Sequence, residues 1–480
     1  MAASEGSEAL REGLRLLDEK DNVGAERLLA RAVDAYPHDL ITRFYLGISL
    51  RKLKKYDESD RQFSILLREA CRLPPVLGYN GAPHCVLRLV AQLSWSMDLT
   101  AIDPSFATID GLLTGDATDA DAVDAVRDLQ GRQPGLPYSA WLYVYARFLR
   151  RGFGGGAFAA KSAAGRVAIT LATGGDRAAA PAAVLGAVYL GEFELAHQLC
   201  DRIAAEGGRK AVGQAHALRL EVLLSEGRVE EAVTLRRTAF KQRAEHQRYE
   251  AFIKGRSVAL VGPAPNTLGN GREIDRHDVV ARTNYQGAFQ FLDKSENFGS
   301  RTDVSYYNRL QIGRSGAEIV QNLADEGIPF VVARKKSAAL DLRAKLPASV
   351  AVRKWWARRW WGYFGNGFAF RHIIFDLLLF SPERITVFNG DFFLGEKPHF
   401  PSYWSTEIDV VRSYIMHDVF ECFLFMKRLK EAGQIDGDAV LEQIIDLPVE
   451  DFLALVSRRC AAATQTGVVN ASEDLLAQDA

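Results

Sequence analysis

The sequence predicts an α-helical repeat array in the first half of the chain and an α/β domain in the second half. Two spacings predict the array: Gly13 and Gly47 lie 34 residues apart, and Gly191 and Gly227 open similar segments 36 residues apart. The α/β domain is predicted by the short apolar run Ser257–Val261, which ends at a Gly/Pro/Asn turn, as a fully buried strand does. In α/β proteins, a turn at a strand's carboxyl end is where nucleotide phosphates are held.

The helical pairs of the first half follow the 34-residue period closely. Ala25 and Ser59 repeat at the spacing of the two glycines, and Pro37 closes the first unit. Small residues at this period let two helices pack closely, as in tetratricopeptide repeats (TPR). We therefore expect TPR-like helix hairpins over residues 7–73 and 180–245. Such an array leaves a concave groove for a peptide or helix of a partner; support or dimerisation of the second half is the alternative.

The domain boundaries follow from these patterns. Residues 1–247 are assigned to the helical array, residues 248–457 to the α/β domain, and the polar residues 458–480 to a flexible tail. The array is less regular in its middle. There, the Asp-rich stretch 116–121 and the Gly-rich stretch 152–156 predict loops between helices.

Composition describes a globular protein and excludes several classes. The chain has 480 residues, of which 48% are hydrophobic and 25% are charged, a length that suggests two or three domains. A net charge of −1 gives no bulk attraction to nucleic acid or to an anionic membrane. Five cysteines without CxxC spacing argue against a zinc site or a disulfide framework. The polar segment Met1–Arg11 is unlike a signal peptide, and no run is long enough to span a bilayer, so a cytoplasmic protein is expected.

Four motifs follow one another in the second half, and their order makes them more specific than any one alone. They are Gly262 with the segment 273–284 (Glu-Ile-Asp-x-His-Asp-Val-Val-x-Arg-x-Asn), the segment 297–303 (Asn-Phe-Gly-Ser-Arg-Thr-Asp), the Gly365-Asn366-Gly367 turn with the strand and tip 384–392, and the segment from His417 to Glu421. Together they resemble the sialylmotifs of sialyltransferases, enzymes that use CMP-activated sialic acid as donor.

The resemblance implies an inverting, metal-independent glycosyltransferase that needs no cofactor besides its CMP-sugar donor. The predicted fold class is thus a TPR-like helical array plus an α/β Rossmann-like glycosyltransferase domain. The two Asp-x-Asp sequences, at 119–121 and 436–438, lie outside the motifs. No metal site is therefore predicted.

The resemblance also implies which residues form the site. His417 is the predicted general base, since an imidazole titrates near operating pH and can take the proton of the acceptor hydroxyl. Glu421 would orient His417 or its helix; the alternative is an exposed helix residue. The predicted donor-binding residues are Gly262, Asn266, Asn284, Asn366, Gly367, Asp391 and Tyr403.

Elementary chemistry supports several of these assignments and leaves alternatives. The turn at Asn366 and Gly367 precedes a helix, where backbone amides can bind phosphate, although glycine is also the ordinary residue of a plain turn. Asn284 and Asn266 each carry a donor and an acceptor suited to phosphate, ribose or sugar. Tyr403 could donate to the leaving phosphate, or simply pack.

Two charged residues complete the predicted site. Asp391 follows a strand tip and could bind the acceptor or the ribose. Arg301 could pair with the carboxylate that every nonulosonic acid carries, or equally form a structural ion pair.

A TPR-like array joined to such a domain resembles bacterial flagellin glycosyltransferases. That resemblance implies a bacterial enzyme whose array captures flagellin and whose second domain adds pseudaminic, legionaminic or sialic acid to Ser/Thr hydroxyls. A surface glycan, capsule or lipopolysaccharide, is the alternative acceptor. A binding protein with an inactive domain is the rival from another class, favoured by Pro263, which stands where the family usually has Asn.

Overall fold

The computed structural model describes residues 2–73, 99–307, 309–334, 336–355, 367–400, 403 and 409–465. Before the first strand, the described chain is helical, and most helices pack against the next one along the chain. The helices of this array are α1 (Ala2–Asp18), α2 (Asn22–Ala35), α3 (Leu40–Lys52), α4 (Tyr56–Cys71), α5 (Ala107–Thr114), α6 (Asp119–Arg132), α7 (Tyr138–Arg151), α8 (Gly154–Thr173), α9 (Ala180–Leu190), α10 (Phe193–Ala205), α11 (Gly208–Ser225), α12 (Val229–Ala239) and α13 (Ala244–Ile253).

The predicted hairpins of paired helices are confirmed, and their glycines lie where helices approach closely. A Cβ atom at Gly47 would come within 2.8 Å of Cζ of Phe63, and one at Gly13 within 2.9 Å of Cγ of Leu29. Ser59, fully buried, donates a 2.9 Å hydrogen bond from its hydroxyl to the carbonyl of Gly47. The 34-residue period is therefore set by close packing of α1 on α2 and of α3 on α4.

The second pair of equivalent glycines ends helices rather than packing between them. Gly191 (φ 78°) and Gly227 (φ 79°) adopt the left-handed conformation just after α9 and α11. This conformation strains residues with a Cβ atom and is common where helices end. Ala196 and Ala232, five residues after each glycine, are fully buried.

The two predicted loops are each wrong for their last three residues, because residues 119–121 begin α6 and residues 154–156 form the first turn of α8. Asp119 of α6 accepts the backbone N–H groups of Gly155 (3.0 Å) and Gly156 (2.8 Å). A Cβ atom at Gly154 would come within 2.6 Å of the carbonyl of Leu453 in the last helix. Glycine stands here because neighbouring helices leave no room for a side chain, which is a packing signal and not a turn signal.

The second half forms a seven-stranded sheet in which every pair of neighbouring strands is parallel, with the order β5-β4-β3-β2-β1-β6-β7. The predicted α/β Rossmann-like fold is thus confirmed. Its strands are β1 (Ser257–Val261), β2 (Val279–Thr283), β3 (Val304–Tyr307), β4 (Phe330–Ala333), β5 (Ala351–Lys354), β6 (Arg384–Phe388) and β7 (Ile435–Gly437). The accompanying helices are α14 (Gly271–Arg276), α15 (Ser295–Phe298), α16 (Arg309–Asp325), α17 (Lys336–Lys345), α18 (Ala369–Leu378), α19 (Val410–His417), α20 (Val419–Glu431), α21 (Ala439–Ile445) and α22 (Val449–Gln465).

The strand order reverses between β1 and β6. From β1 the chain adds β2 to β5 on one side, and then crosses back to place β6 and β7 on the other side. Val261 and Phe388 are register partners at the carboxyl ends of these two central strands. Ligands of open parallel sheets bind in the crevice at such a reversal.

The array and the sheet share one hydrophobic core, which runs from Leu40 to Cys460. Tyr249 of α13 is fully buried against the ring of Phe330 in β4, with centroids 5.2 Å apart. Helix α13 spans the predicted boundary at residues 247 and 248, and α22 packs back on α7 and α8.

The predicted tail begins too early. Residues 458–465 continue α22, and Cys460 is fully buried, so this part is folded; residues 466–480 lie outside the described residues. None of the helices in the described ranges is long and apolar enough to cross a membrane.

Candidate functional site

A cleft of about 700 Å³, counting space open to solvent, lies at the reversal between β1 and β6. Thr283 at the end of β2 and the segments after β1 and β6 supply one side of it, and the start of α18 supplies another. Its lining residues include Pro263, Ala264, Thr283, Phe368, Phe370, Arg371, Asn389, Gly390, Asp391, Phe393, Tyr403 and Cys422. Parts of two of the four predicted motifs, the first and the third, therefore meet at one place, the carboxyl edge of the sheet.

Gly262, the predicted start of the phosphate turn, is required by packing. A Cβ atom here would overlap the ring of Phe370 and the carbonyl of Asn389. The backbone N–H of Gly262 donates a 2.9 Å hydrogen bond to the carbonyl of Phe388. Gly262 thus brings β1 and β6 together below the cleft, while its amide is already used within the fold.

Asn389, a residue not assigned to the site from sequence, lies at the base of the cleft. It is 1% exposed and adopts the left-handed conformation, with φ 56°. Its side-chain Nδ2 donates to the carbonyl of Ala264 at 3.3 Å, whereas its Oδ1 has no hydrogen-bond partner among the described residues. A buried acceptor without a partner is costly, so a ligand with an N–H or O–H group fits this position. The Asn-Gly pair directly after a strand was the available signal.

Asp391 organises the loop after β6. Its carboxylate oxygens accept the backbone N–H groups of Phe393 (2.9 Å) and Gly395 (3.0 Å). Burial raises the pKa of Asp391, although these two hydrogen bonds oppose the rise. Phe392 and Phe393 both have positive φ, 55° and 60°, a strained state for bulky residues. Asp391 therefore holds a strained loop in place beside the cleft.

Two predicted donor-binding residues, Asn284 and Tyr403, meet directly. The Nδ2 of Asn284 donates a 3.0 Å hydrogen bond to the hydroxyl of Tyr403, which lies 2.8 Å from Oγ1 of Thr283. Asn284 follows β2 in the left-handed conformation, and its backbone N–H donates to Tyr306. Burial raises the pKa of Tyr403, so its hydroxyl stays protonated. This cluster places polar hydrogen-bonding groups at the rim of a largely apolar cleft.

His417 lies behind one wall of the cleft. It ends α19, and its ring packs on Phe368 with centroids 5.5 Å apart. The backbone N–H of Phe368 donates to Sγ of Cys422 at 3.2 Å, and that thiol donates to the carbonyl of His417 at 3.6 Å. Burial raises the pKa of Cys422 to about 12, so the thiol is neutral and no nucleophile at ordinary pH.

Glu421 is half-buried and binds a cation, so the alternative of an exposed helix residue is wrong. Its Oε1 lies 2.8 Å from Arg371, which lines the cleft and also pairs with Glu221 of α11. The guanidinium of Arg371 stacks over the ring of Phe425 at 4.7 Å. Glu421 therefore fixes the position of Arg371 and, with it, the start of α18.

Arg301 lies at the opposite, amino edge of the sheet. Its guanidinium donates to the carbonyls of Asp275 (2.7 Å) and His277 (2.9 Å), and to the carboxylate of Asp303 (2.9 Å). Asp303 immediately precedes β3. Of the two interpretations of Arg301, the geometry supports the structural ion pair and does not support a substrate carboxylate.

The remaining predicted residues differ in position. Asn266 accepts the backbone N–H of Leu268 at 3.2 Å in a local turn and does not line the cleft. Gly367 is buried two residues before α18, and a Cβ atom there would come within 2.9 Å of Cδ of Arg371. Asn366 lies outside the described residues.

Within the described ranges, no group of three or more His, Cys, Asp or Glu side chains is arranged to hold a metal ion. Metal independence remains a prediction of the resemblance. In comparisons with known proteins, no family model matches the chain and no curated protein matches it.

Proposed function

We propose that this chain is an inverting, metal-independent glycosyltransferase that moves a nonulosonic acid from its CMP donor to a protein acceptor. The observation that carries the proposal is the contact between Asn284 and Tyr403 at the rim of the cleft. Asn284 belongs to the first motif, Tyr403 lies 119 residues further along the chain, and the two meet where parallel sheets bind ligands.

The cleft suits a CMP group in its shape and chemistry. Phe368 and Phe370 offer apolar surface for a planar base, and Asn389 offers a buried acceptor for an amino or hydroxyl group. The side-chain N–H of Asn284 and the hydroxyl of Tyr403 suit the phosphate. As the bond from the anomeric carbon to the phosphate oxygen breaks, negative charge develops on the leaving CMP, and hydrogen-bond donors stabilise it.

His417 takes the acceptor proton in this proposal. The acceptor hydroxyl oxygen attacks the anomeric carbon from the face opposite to CMP, which inverts the configuration, and its proton passes to the imidazole. His417 packs on Phe368, which lines the cleft, so a side-chain movement of Phe368 would bring its ring to the acceptor. Glu421 supports the same wall through Arg371.

The acceptor in this proposal is flagellin, modified on Ser/Thr hydroxyls in the bacterial cytoplasm. The helical array would recognise it, because stacked helix pairs offer an extended groove for a peptide or a helix. Capsule or lipopolysaccharide is the alternative acceptor and would not need the array.

A nucleotide-binding module without transferase activity is the second candidate. Two observations favour it: Pro263 replaces the asparagine of the sialylmotif, and the backbone N–H of Gly262 is bonded to Phe388. The turn after β1 thus offers a ligand fewer donors than the resemblance implies. This candidate predicts binding of CMP without any product.

Incubation with CMP-pseudaminic acid and flagellin, followed by mass spectrometry of the flagellin, tests the proposal. Wild-type protein should add the mass of the sugar, and His417→Ala should lower turnover by about 100-fold or more, since general-base catalysis contributes about 10²–10⁴-fold. His38→Ala, which removes an exposed histidine of the array, is the matched control and should keep full activity. No mass increase with wild type, while CMP still binds, would favour the second candidate. Lipopolysaccharide offered beside flagellin distinguishes the two acceptors.

A further inference from the structure

Two charged side chains of the helical array are buried against the α/β half beside the cleft. Lys161 of α8 and Asp418 are both fully buried and form an ion pair. Glu221 of α11, which is 3% exposed, pairs with Arg371. Because a buried charge is costly unless it is paired, each pair holds its two elements in one relative position.

Lys161 acts on the residue next to His417. Asp418 has a left-handed backbone, with φ 44°, and joins α19 to α20. Its Oδ1 accepts the backbone N–H of Glu421 at 3.1 Å, while its Oδ2 meets Lys161. Holding Asp418 therefore determines where α19 ends, and with it where the ring of His417 lies.

Glu221 acts on the other side of the same wall. Its partner Arg371 lies in the first turn of α18, directly below Gly367, and also binds Glu421. Phe368 lies between Gly367 and this helix, and the ring of His417 packs on it. Glu221 thus supports, through one guanidinium, the segment that forms the wall.

We propose that the helical array completes the cleft, with Lys161 and Glu221 as positioning residues for His417 and the Phe368 wall. The kinetic side of this inference rests on the proposed transferase function; the position of the His417 ring can be followed without any activity. The array then has a part in the chemistry, in addition to recognition of an acceptor.

The kinetic test compares Lys161→Met and Glu221→Gln with Ser59→Ala. The control removes a buried contact that lies wholly within the array, the 2.9 Å hydrogen bond from the Ser59 hydroxyl to the carbonyl of Gly47, and touches neither ion pair. The two ion-pair variants should lower kcat by about 10- to 100-fold, with the KM for the donor little changed, because misplacement of a reacting group has effects of that order. Ser59→Ala should stay within about twofold of wild type.

Histidine NMR separates positioning from a merely structural role. The chain has nine histidines, and His417→Gln identifies the signal of His417. That signal should shift in folded Lys161→Met and Glu221→Gln and stay unchanged in Ser59→Ala. An unshifted signal in both folded ion-pair variants would overturn the inference.

A charge-free pair provides the second readout. Lys161→Met with Asp418→Asn removes both buried charges and keeps an asparagine able to cap α20, so the Tm should recover relative to Lys161→Met alone. Positioning predicts that the His417 signal stays shifted although the Tm recovers. Recovery of the wild-type signal together with the Tm would mean that Lys161 acts on stability alone. If wild-type protein transfers no sugar, the proposed function fails, and the NMR comparison still decides the role of the array.

Discussion

The amino and carboxyl edges of the sheet are both rich in polar residues, yet they differ in how those residues are satisfied. At the amino edge, Arg301 donates to two carbonyls and a carboxylate, and Asp275 accepts the backbone N–H groups of Ser300 and Arg301. At the carboxyl edge, Asn389 keeps a buried oxygen without a partner among the described residues, and Phe392 and Phe393 are strained. Arg301 and Asp275 are used within the fold, whereas an acceptor without a partner beside strained residues is typical of a place kept for a ligand.

The largest expected effect is a loss of turnover in variants of Asn284 and Tyr403 at the carboxyl edge. Asn284→Ala removes the donor at the rim of the cleft, and Tyr403→Phe removes the hydroxyl that it contacts. Each variant should lower turnover by about 100-fold, the scale found when one donor to a developing negative charge is lost. Turnover and Tm should be measured together, because a loss of turnover without a matching loss of Tm identifies a site contact. Near-normal turnover in both variants would remove this cluster from the mechanism.

The amino edge should respond in the opposite way. Arg301→Ala deletes several hydrogen bonds of a partly exposed guanidinium and should lower the free energy of unfolding by about 1 to 2 kcal/mol. Affinity for CMP, measured by calorimetry, should not change, since Arg301 lies across the sheet from the cleft. A large loss of CMP affinity with normal stability would mean that Arg301 binds the substrate and is not only a structural residue.

The smallest expected effect is a difference in how the stability contributed by two carboxylates, Asp275 and Asp391, depends on pH. Burial alone would raise the pKa of Asp275, but the N–H groups of Arg301 and Ser300 and the Ser300 hydroxyl lower it below its usual value. Burial raises the pKa of Asp391 above its usual value. Asp275 therefore contributes stability above its unfolded pKa that is lost as the pH falls through its folded pKa. Asp391 contributes stability at low pH that is lost as the pH rises through its folded pKa.

Denaturant unfolding between pH 3 and pH 7 measures this difference in the variants Asp275→Asn and Asp391→Asn, with ordinary carboxyl pKa values near 4 marking the window. The cost of Asp275→Asn should be larger at pH 7 than at pH 3, whereas Asp391→Asn should become relatively more favourable as the pH rises. The same trend in both variants would contradict the comparison of the two edges.

Local signals predicted much of this molecule. The spacing from Gly13 to Gly47 predicted hairpins because close helix packing needs small residues. The run Ser257–Val261 predicted a strand because a short apolar run is typical of a strand that is buried on both faces. The position of Arg301 was predictable as well. It stands three residues before β3, so it had to lie at that strand's amino end.

Other features depend on contacts that no local pattern carries. Lys161 meets Asp418, and Glu221 meets Arg371, across more than 100 residues of chain. Gly154, in the first turn of α8, is a glycine because the carbonyl of Leu453 leaves no room for a side chain. Asn389 could not be assigned to the site from sequence. A buried acceptor without a partner can be recognised only when the positions of all neighbouring donors are known.

The return of α22 onto the array has a consequence for synthesis on the ribosome. Ser457 accepts the backbone N–H of Gly154 at the start of α8 and donates to Asp119 of α6, which lies 338 residues earlier. The first turn of α8 cannot complete these contacts until Ser457 has been translated. These contacts between α8 and α22 therefore form only after the array has been synthesised, and contacts of such long range close slowly. We therefore expect the amino end of α8 to be among the last parts of the array to acquire its native contacts.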